Sequence, residues 1–243
     1  MKHAQEWHRQ ISPISGEILM FFCISIFILY QFFIFVQLRA NTFIREAQVY
    51  LIRAQGLEGE DLIVERAILY KRAIRFLARA IKSNPFDAGT YFVYAESINS
   101  KMSQDAQLAG VLDLGSLYPA REEKNLSFAD LARRNFAEAI KRNPTNAIYH
   151  QRLGSIYEKL SNGALAEAEL KKAILLDPQN VSIHLYLTQY YLSRKKQSEF
   201  NYHLGRVVEL YRLALKGGGP MERLGGMVRQ YLESIKQEEL IKD

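Results

Sequence analysis

The sequence contains very little cysteine. One cysteine, Cys23, occurs among 243 residues, so a disulfide framework within the chain and a cysteine-rich zinc module are both excluded. Sequence signatures of catalysis are also missing: there is no GxSxG nucleophile motif, no phosphate-binding GxxxxGK motif and no HExxH metal motif. We therefore expect a protein that is not an enzyme and that holds no cofactor and no metal.

Charged residues are missing from one long stretch. No Lys, Arg, Asp or Glu occurs between Ile18 and Leu38, and six of the thirteen Phe lie there. As a helix this stretch is about 31 Å long, which matches the roughly 30 Å hydrocarbon core of a bilayer. The sequence therefore predicts a transmembrane helix over 18–38, after an N-terminal tail over 1–17.

A cleaved signal peptide is the alternative interpretation of this stretch. Signal peptides have roughly 7–15 apolar residues followed by a small-x-small cleavage site, whereas this run is longer and ends in Gln37, Leu38 and Arg39. We therefore expect an uncleaved signal-anchor and a single-pass integral membrane protein. Basic residues on the two sides of the span hardly discriminate between orientations. We expect the short tail inside and the large domain on the extracytoplasmic side.

A 34-residue repeat follows the span. Pro144 and Pro178 are 34 residues apart, and Pro85 precedes them. Small, large and small apolar residues lie 12, 8 and 5 positions before each proline, namely Ala73, Leu77, Ala80, Ala132, Phe136, Ala139, Ala166, Leu170 and Ala173. This spacing places each set on one helical face. Small residues there let a partner helix approach closely, and the proline ends the helix.

The unit that ends at Pro178 has further repeat residues. Two helical runs are separated by the turn Ser161-Asn162-Gly163, and the first run contains Leu153, Gly154 and Tyr157. The pattern Leu-Gly-x-x-Tyr, Ala, large apolar residue, Ala and Pro resembles the tetratricopeptide repeat (TPR) family, with six matching positions over Ala147–Asn180. The resemblance implies an all-α fold, a right-handed helical solenoid of about three to four repeats over 39–214.

Three segments depart from a regular repeat. The spacing of Pro85 and Pro144 predicts an insertion over about 103–126, whose apolar residues either bind a partner or pack on the solenoid. The helical spacing over Asn41–Gln55 predicts that the membrane helix continues and supplies the missing first helix of the first unit. Residues 215–243 are expected to form a linker and a C-terminal capping helix.

The excess positive charge lies close to the span. Residues 39–82 contribute +4 of the net charge of +6. One face of the helix predicted over 66–82 carries Lys71, Arg75, Arg79 and Lys82. This face is either solvated or a lipid-facing basic patch in contact with anionic headgroups. Nucleic-acid binding is not expected, because no aromatic platform is interleaved with the charges.

Two histidines, His150 and His184, occupy the same position of successive repeats. Side chains stacked in this way could share a metal, but equivalent helices lie roughly 10 Å apart. No nearby cysteine or pair of carboxylates completes a metal site. We therefore expect both histidines to be structural.

The TPR resemblance also implies a concave groove that binds a peptide, a helix or a protein surface. Carried over position by position, it gives Phe92, Glu96, Asn99, Ile148, Gln151, Ser155, Glu158, Ser182, Leu185, Gln189 and Leu192 as groove residues. Gln151 and Ser155 stand where a clamp for a C-terminal carboxylate would need Lys and Asn, so no such clamp is expected.

The sequence therefore favours a membrane-anchored scaffold that recruits or assembles other proteins. An accessory structural subunit of a larger membrane complex is the alternative. The expected partners are other proteins and, through Ile18 to Leu38, membrane lipid.

Overall fold

The computed structural model describes residues 13–57, 62–99 and 127–216, together with positions 228, 230, 231 and 233. All regular structure in these ranges is helical, and the predicted all-α, TPR-like fold is confirmed. The helices are α1 (Pro13–Gln55), α2 (Ile63–Ser83), α3 (Ala88–Ser97), α4 (Phe128–Arg142), α5 (Ala147–Lys159), α6 (Gly163–Leu176), α7 (Val181–Ser193) and α8 (Gln197–Lys216).

The chain forms two compact units rather than one. Helices α1 to α3 belong to the first unit, and α4 to α8 belong to the second, which begins at Ile98. The predicted second repeat, α3 with α4, is thus divided between the units. The predicted insertion over 103–126, most of the tail over 1–17 and most of the segment over 215–243 lie outside the described residues.

Helix α1 has two unlike halves. Most side chains from Ile18 to Leu38 are exposed. Beyond that stretch Ala40, Ala47 and Ala54 are fully buried, and their seven-residue spacing makes one stripe along the helix. Because α1 and α2 pack together, the second half of α1 serves as the partner of α2.

Helix α1 begins at Pro13, five residues before the apolar stretch, where a proline fits the first helical turn. Within the described residues, α1 is the helix with the length and apolar composition needed to cross a membrane.

The first unit is fixed by contacts along α2. The repeat residues Ala73, Leu77 and Ala80 of α2 are fully buried. At the end of α2, the side-chain amide of Asn84 donates a hydrogen bond of 2.5 Å to Gln37 Oε1. The end of α2 therefore lies beside the last residues of the apolar stretch of α1.

The second unit is built from helical hairpins. Helices α5 and α6 form one hairpin, and α7 and α8 form the next. Each hairpin turns through a residue with left-handed backbone, Ser161 at φ 58° and Lys195 at φ 56°, and these two residues are 34 positions apart. Asn146 and Asn180, also 34 apart, cap α5 and α7 by accepting hydrogen bonds from backbone N–H groups.

Close packing in this unit depends on a glycine. A Cβ atom on Gly154 would lie 2.8 Å from Cγ of Leu170, so α5 and α6 can approach as closely as they do because that atom is absent. The surrounding core includes the fully buried Ala166, Leu170 and Ala173, as the repeat pattern requires. Val228 and Tyr231, at helical positions near the C-terminus, are buried in the same core.

Helix α4 begins as the sequence indicates. The hydroxyl of Ser127 accepts a hydrogen bond of 3.1 Å from the backbone N–H of Asp130, and the same hydroxyl donates to the Asp130 carboxylate over 2.7 Å. This is the N-cap arrangement that stabilises the first turn of a helix.

Candidate functional site: a groove in the second unit

A groove of about 610 Å³ lies on the second unit, along α5 and α7. Five of the groove residues implied by the TPR resemblance line it: Ile148, Gln151, Ser182, Leu185 and Gln189. Two pairs among them, at 148 and 182 and at 151 and 185, are 34 residues apart, so equivalent faces of successive repeats form the wall. Four further side chains complete the lining, those of Arg152, Tyr186, Gln230 and Tyr231.

The groove has an apolar floor and a polar rim. Leu185 is 7% exposed and Gln151 is 5% exposed, whereas Ser182 and Gln189 are exposed to solvent. The amides of Gln151 and Gln189 can each donate and accept hydrogen bonds. Such a lining suits the backbone amides of a peptide or the side chains of a helix.

Tyr186 is held in place at the groove wall. Its hydroxyl donates a hydrogen bond of 2.8 Å to the carboxylate of Glu158. Burial, followed by this contact with Glu158, raises the pKa of Tyr186 well above its usual range. The phenol therefore stays neutral, and the Glu158 carboxylate serves to orient it.

The remaining predicted groove residues lie elsewhere. Ser155 is buried and its hydroxyl donates to the backbone oxygen of Arg152 over 2.8 Å. Leu192 is 44% exposed and does not line the groove. Asn99 accepts a hydrogen bond of 2.7 Å from the Lys159 ammonium, and Phe92 and Glu96 belong to α3 of the first unit.

Some lining residues were missed by the sequence pattern. Arg152 and Tyr186 follow Ile148 and Ser182 by four positions, so one further helical turn on each predicted face would have found them. Gln230 and Tyr231 come from a segment beyond a glycine-rich break. Their place in the groove depends on tertiary packing, which local periodicity does not encode.

The predicted basic patch is divided by the structure. Arg79 and Lys82 line a second cavity, of about 630 Å³, in the first unit, whereas Lys71 and Arg75 do not line it. The other lining residues are Phe32, Phe35, Val36, Arg39, Phe43 and Ser83. The sequence pattern missed the contribution of α1 because it compared residues only along α2.

The two repeated histidines bind separate partners. In His150, Nδ1 lies 2.6 Å from the carboxylate of Glu169 and Nε2 lies 3.0 Å from a backbone oxygen. In His184, Nδ1 lies 2.9 Å from Nδ1 of His203 and Nε2 lies 3.1 Å from a backbone oxygen. Within the described ranges no three side chains of the types that bind metals gather together.

The His184 and His203 pair is neutral near pH 7. Burial, together with the neighbouring His184, lowers the pKa of His203 to about 4, and burial lowers the pKa of His184. Because Nε2 of His184 donates to a backbone oxygen, its Nδ1 accepts from the Nδ1–H of His203. Residue 169 stands 34 positions before 203, so a histidine in the last repeat replaces the glutamate of the previous one.

No protein-family model matches the sequence, and no curated protein matches it. Among solved structures, the chain is similar to the MamA RS-1 ArsTM double mutant, with 17% identity and a TM-score of 0.45 over 72% of this chain and 95% of that one. It is also similar to TTC0263, described as a thermophilic TPR protein of Thermus thermophilus, with 21% identity and a TM-score of 0.36 over 79% and 98%.

A third similar structure is the human IFIT1 dimer with PPP-AAAA, at 15% identity and a TM-score of 0.46 over 74% of this chain. The chain spans 45% of that protein's length. None of the three is similar enough to carry a function to this chain.

Proposed function

We propose that this chain is a single-pass membrane protein whose second unit binds another protein in the groove along α5 and α7. The observation that carries the proposal is the convergence of Ile148, Gln151, Ser182, Leu185 and Gln189 on one groove. A partly apolar groove with exposed amides is suited to a helical or extended protein segment rather than to a charged small molecule.

The membrane part of the proposal is supported by the exposure of the apolar stretch. Phe21 and Leu29 are 65% and 66% exposed, and both lie in a run without any charge. Leaving a large apolar side chain in water costs about 1.5–3 kcal/mol relative to burying it. The described part of the chain does not cover this surface, and a bilayer would.

Site-specific crosslinking tests the groove. A photoreactive residue placed at Ser182 or Gln189, both exposed in the groove, is expected to give the same discrete crosslinked protein in native membranes. The same residue placed at Leu175, which is 80% exposed and does not line the groove, serves as the matched control. Equal crosslinking from all three positions, or none from the groove positions, contradicts the proposal.

A fixed subunit of a larger membrane complex is the second candidate. It is favoured by Gln31, an exposed amide within the apolar stretch that has no hydrogen-bond partner among the described residues. An amide at that depth gains from a partner on a neighbouring transmembrane helix. Extraction in mild detergent separates the candidates: a stable stoichiometric assembly, weakened by Gln31→Leu, supports the fixed subunit, and exchangeable partners support the scaffold.

We place the second unit on the extracytoplasmic side of the membrane. Because the two ends of the span carry similar numbers of basic residues, this orientation is tested directly. Protease added to sealed cells or organelles is expected to digest the second unit if the placement is correct. Protection of that unit until the membrane is opened contradicts it.

A further inference from the structure

We propose that the cavity at the end of the apolar stretch is a binding site for one anionic phospholipid. The inference rests on the proposed membrane span. The site is formed where the apolar part of α1 ends and where the last turn of α2 lies beside it. Its two kinds of lining, cationic and aromatic, match the two chemical parts of a phospholipid.

The cationic side of the cavity comes from two helices. Arg39, the first charged residue after the apolar stretch, approaches from α1, and Arg79 and Lys82 approach from α2. All three are exposed, and the described part of the chain places no carboxylate within 4 Å of any of them. Three cations without an acidic partner leave a strong local excess of positive charge.

The orientation of both arginines is fixed by aromatic rings. The guanidinium of Arg39 lies 6.0 Å from the ring centre of Phe43, and that of Arg79 lies 5.5 Å from the ring centre of Phe76. A guanidinium over a ring face keeps donor groups free for an anion. The carbonyl end of α2 carries about half a negative charge, which three full positive charges outweigh.

The apolar side of the cavity continues into the membrane-length stretch. Phe32, Phe35 and Val36 line it on the side toward that stretch, and Phe32 is 64% exposed. A soluble anion would gain nothing from these side chains, whereas an acyl chain would bury them. The volume of about 630 Å³ is in the range of a small-molecule pocket and accommodates a headgroup with the start of its chains.

The position of the cavity along α1 also fits a lipid headgroup. The hydrogen bond between Asn84 and Gln37 holds the end of α2 at the exit of the apolar stretch. If that stretch crosses the bilayer, the three cations lie at headgroup depth. Each basic side chain near an anionic surface contributes about 1 kcal/mol.

Lipid retention by the full chain tests the site. Purified protein is given equal amounts of phosphatidylglycerol and phosphatidylcholine with identical acyl chains, and the lipids that remain bound are counted by native mass spectrometry. The double variant Arg79→Ala/Lys82→Ala is compared with Lys71→Ala/Arg75→Ala, which removes the same charge from the same helix outside the cavity. Circular dichroism checks that each variant keeps its helices.

The wild-type protein and the Lys71/Arg75 variant are expected to retain phosphatidylglycerol in preference to phosphatidylcholine. The Arg79/Lys82 variant is expected to lose this preference by about 10- to 30-fold. Equal losses in both variants would show diffuse attraction to charge and overturn the proposal. So would the absence of any preference in the wild type, or equally tight binding of soluble glycerol phosphate.

Failure of the lipid site and failure of the membrane span give different results. Flotation of the full chain with vesicles of pure phosphatidylcholine reports insertion through the apolar stretch alone. A chain that floats but shows no preference for the anionic lipid contradicts only the lipid site. A chain that does not float contradicts the span.

Discussion

Two groups of apolar side chains in this protein have opposite surroundings. In the second unit, Leu170 and Ile183 are fully buried between helices. In the first half of α1, Phe21 and Leu29 are about two-thirds exposed although their stretch is more apolar than any part of the core. The difference shows that helix formation and burial are separate consequences of sequence, and that a core requires partner helices with matching small residues.

The second unit satisfies its apolar residues internally. Alanine and glycine positions on one helix receive a large side chain of the next, as Gly154 receives Leu170. The stretch from Ile18 to Leu38 contains no glycine or alanine, so it lacks the positions that would admit a helix at close range. Its surface is suited to fluid lipid chains, which need no fixed complementary shape.

The same substitution in the two regions sharpens this comparison most. Leu170→Ala is expected to lower the free energy of unfolding of the second unit by about 2–5 kcal/mol, because it opens a cavity in a packed core. Leu29→Ala, in the exposed stretch, is expected to leave that free energy unchanged. Denaturant unfolding of the full chain in detergent, followed by the tyrosine signal, measures both. Equal effects would break the comparison.

A charge in the apolar stretch tests its solvent. Leu29→Arg is expected to raise the free energy of membrane insertion by about 3 kcal/mol, the cost of an arginine near the middle of a spanning helix. Leu175→Arg, at a position that is 80% exposed in the second unit, is the control and should insert normally. Insertion is measured as the glycosylated or membrane-integrated fraction in a cell-free system with microsomes. Equal insertion of both variants would argue against the span.

Acid is expected to destabilise the second unit through its buried histidine pair. The pKa of His203 in the folded unit is about 4, below its unfolded value of 6.5. Its contribution to stability is therefore complete above pH 6.5 and is lost as the pH falls toward 4, by about 3 kcal/mol. Among the neighbouring charges, Glu199 opposes the lowering at His203, while Arg206 adds to it at His184 and Asp177 opposes it there.

Unfolding measured between pH 7 and pH 4 tests this sign. His203→Gln removes one titrating group and should flatten the profile over that window. A second variant, His203→Glu, copies the residue found at position 169 and pairs His184 with a carboxylate. Stability that increases on acidification in the wild-type protein would contradict the account. The apolar stretch has no group that titrates there, so membrane association should not follow this profile.

Helix approach in the second unit gives the smallest expected effect. Gly154→Ala is expected to lower the free energy of unfolding by about 1–3 kcal/mol, because the new Cβ would lie 2.8 Å from Leu170 Cγ. Gly205→Ala is the matched control, since a Cβ there meets nothing within 4 Å. The control should stabilise α8 by up to about 1 kcal/mol. Thermal unfolding of the two variants against wild type decides the sign.

Periodicity made the repeat core predictable. The spacing of Ala166, Leu170 and Ala173 identifies one helical face, and the structure buries all three. The cap at Ser127 was also predictable, because its hydrogen bonds are made within one helical turn. Such features depend on residues that are close together in the sequence.

Features that depend on distant segments were predicted less well. The place of Tyr231 in the groove and the contribution of Arg39 to the basic cavity arise from contacts between helices that are far apart in the chain. The pairing of His184 with His203 had a signal, since Glu169 precedes His203 by one repeat length. The assignment of α3 and α4 to different units had none in the repeat pattern.

The lone cysteine provides the most direct test of the membrane span. Cys23 lies exposed on the apolar stretch and is the only thiol of the chain. In opened native membranes, a water-soluble maleimide is expected to leave Cys23 unmodified until the membrane is dissolved in denaturing detergent. A Cys23→Ser/Gln179→Cys variant, with its thiol on the exposed surface of the second unit, should react at once. Rapid modification of Cys23 in intact bilayers would contradict the account.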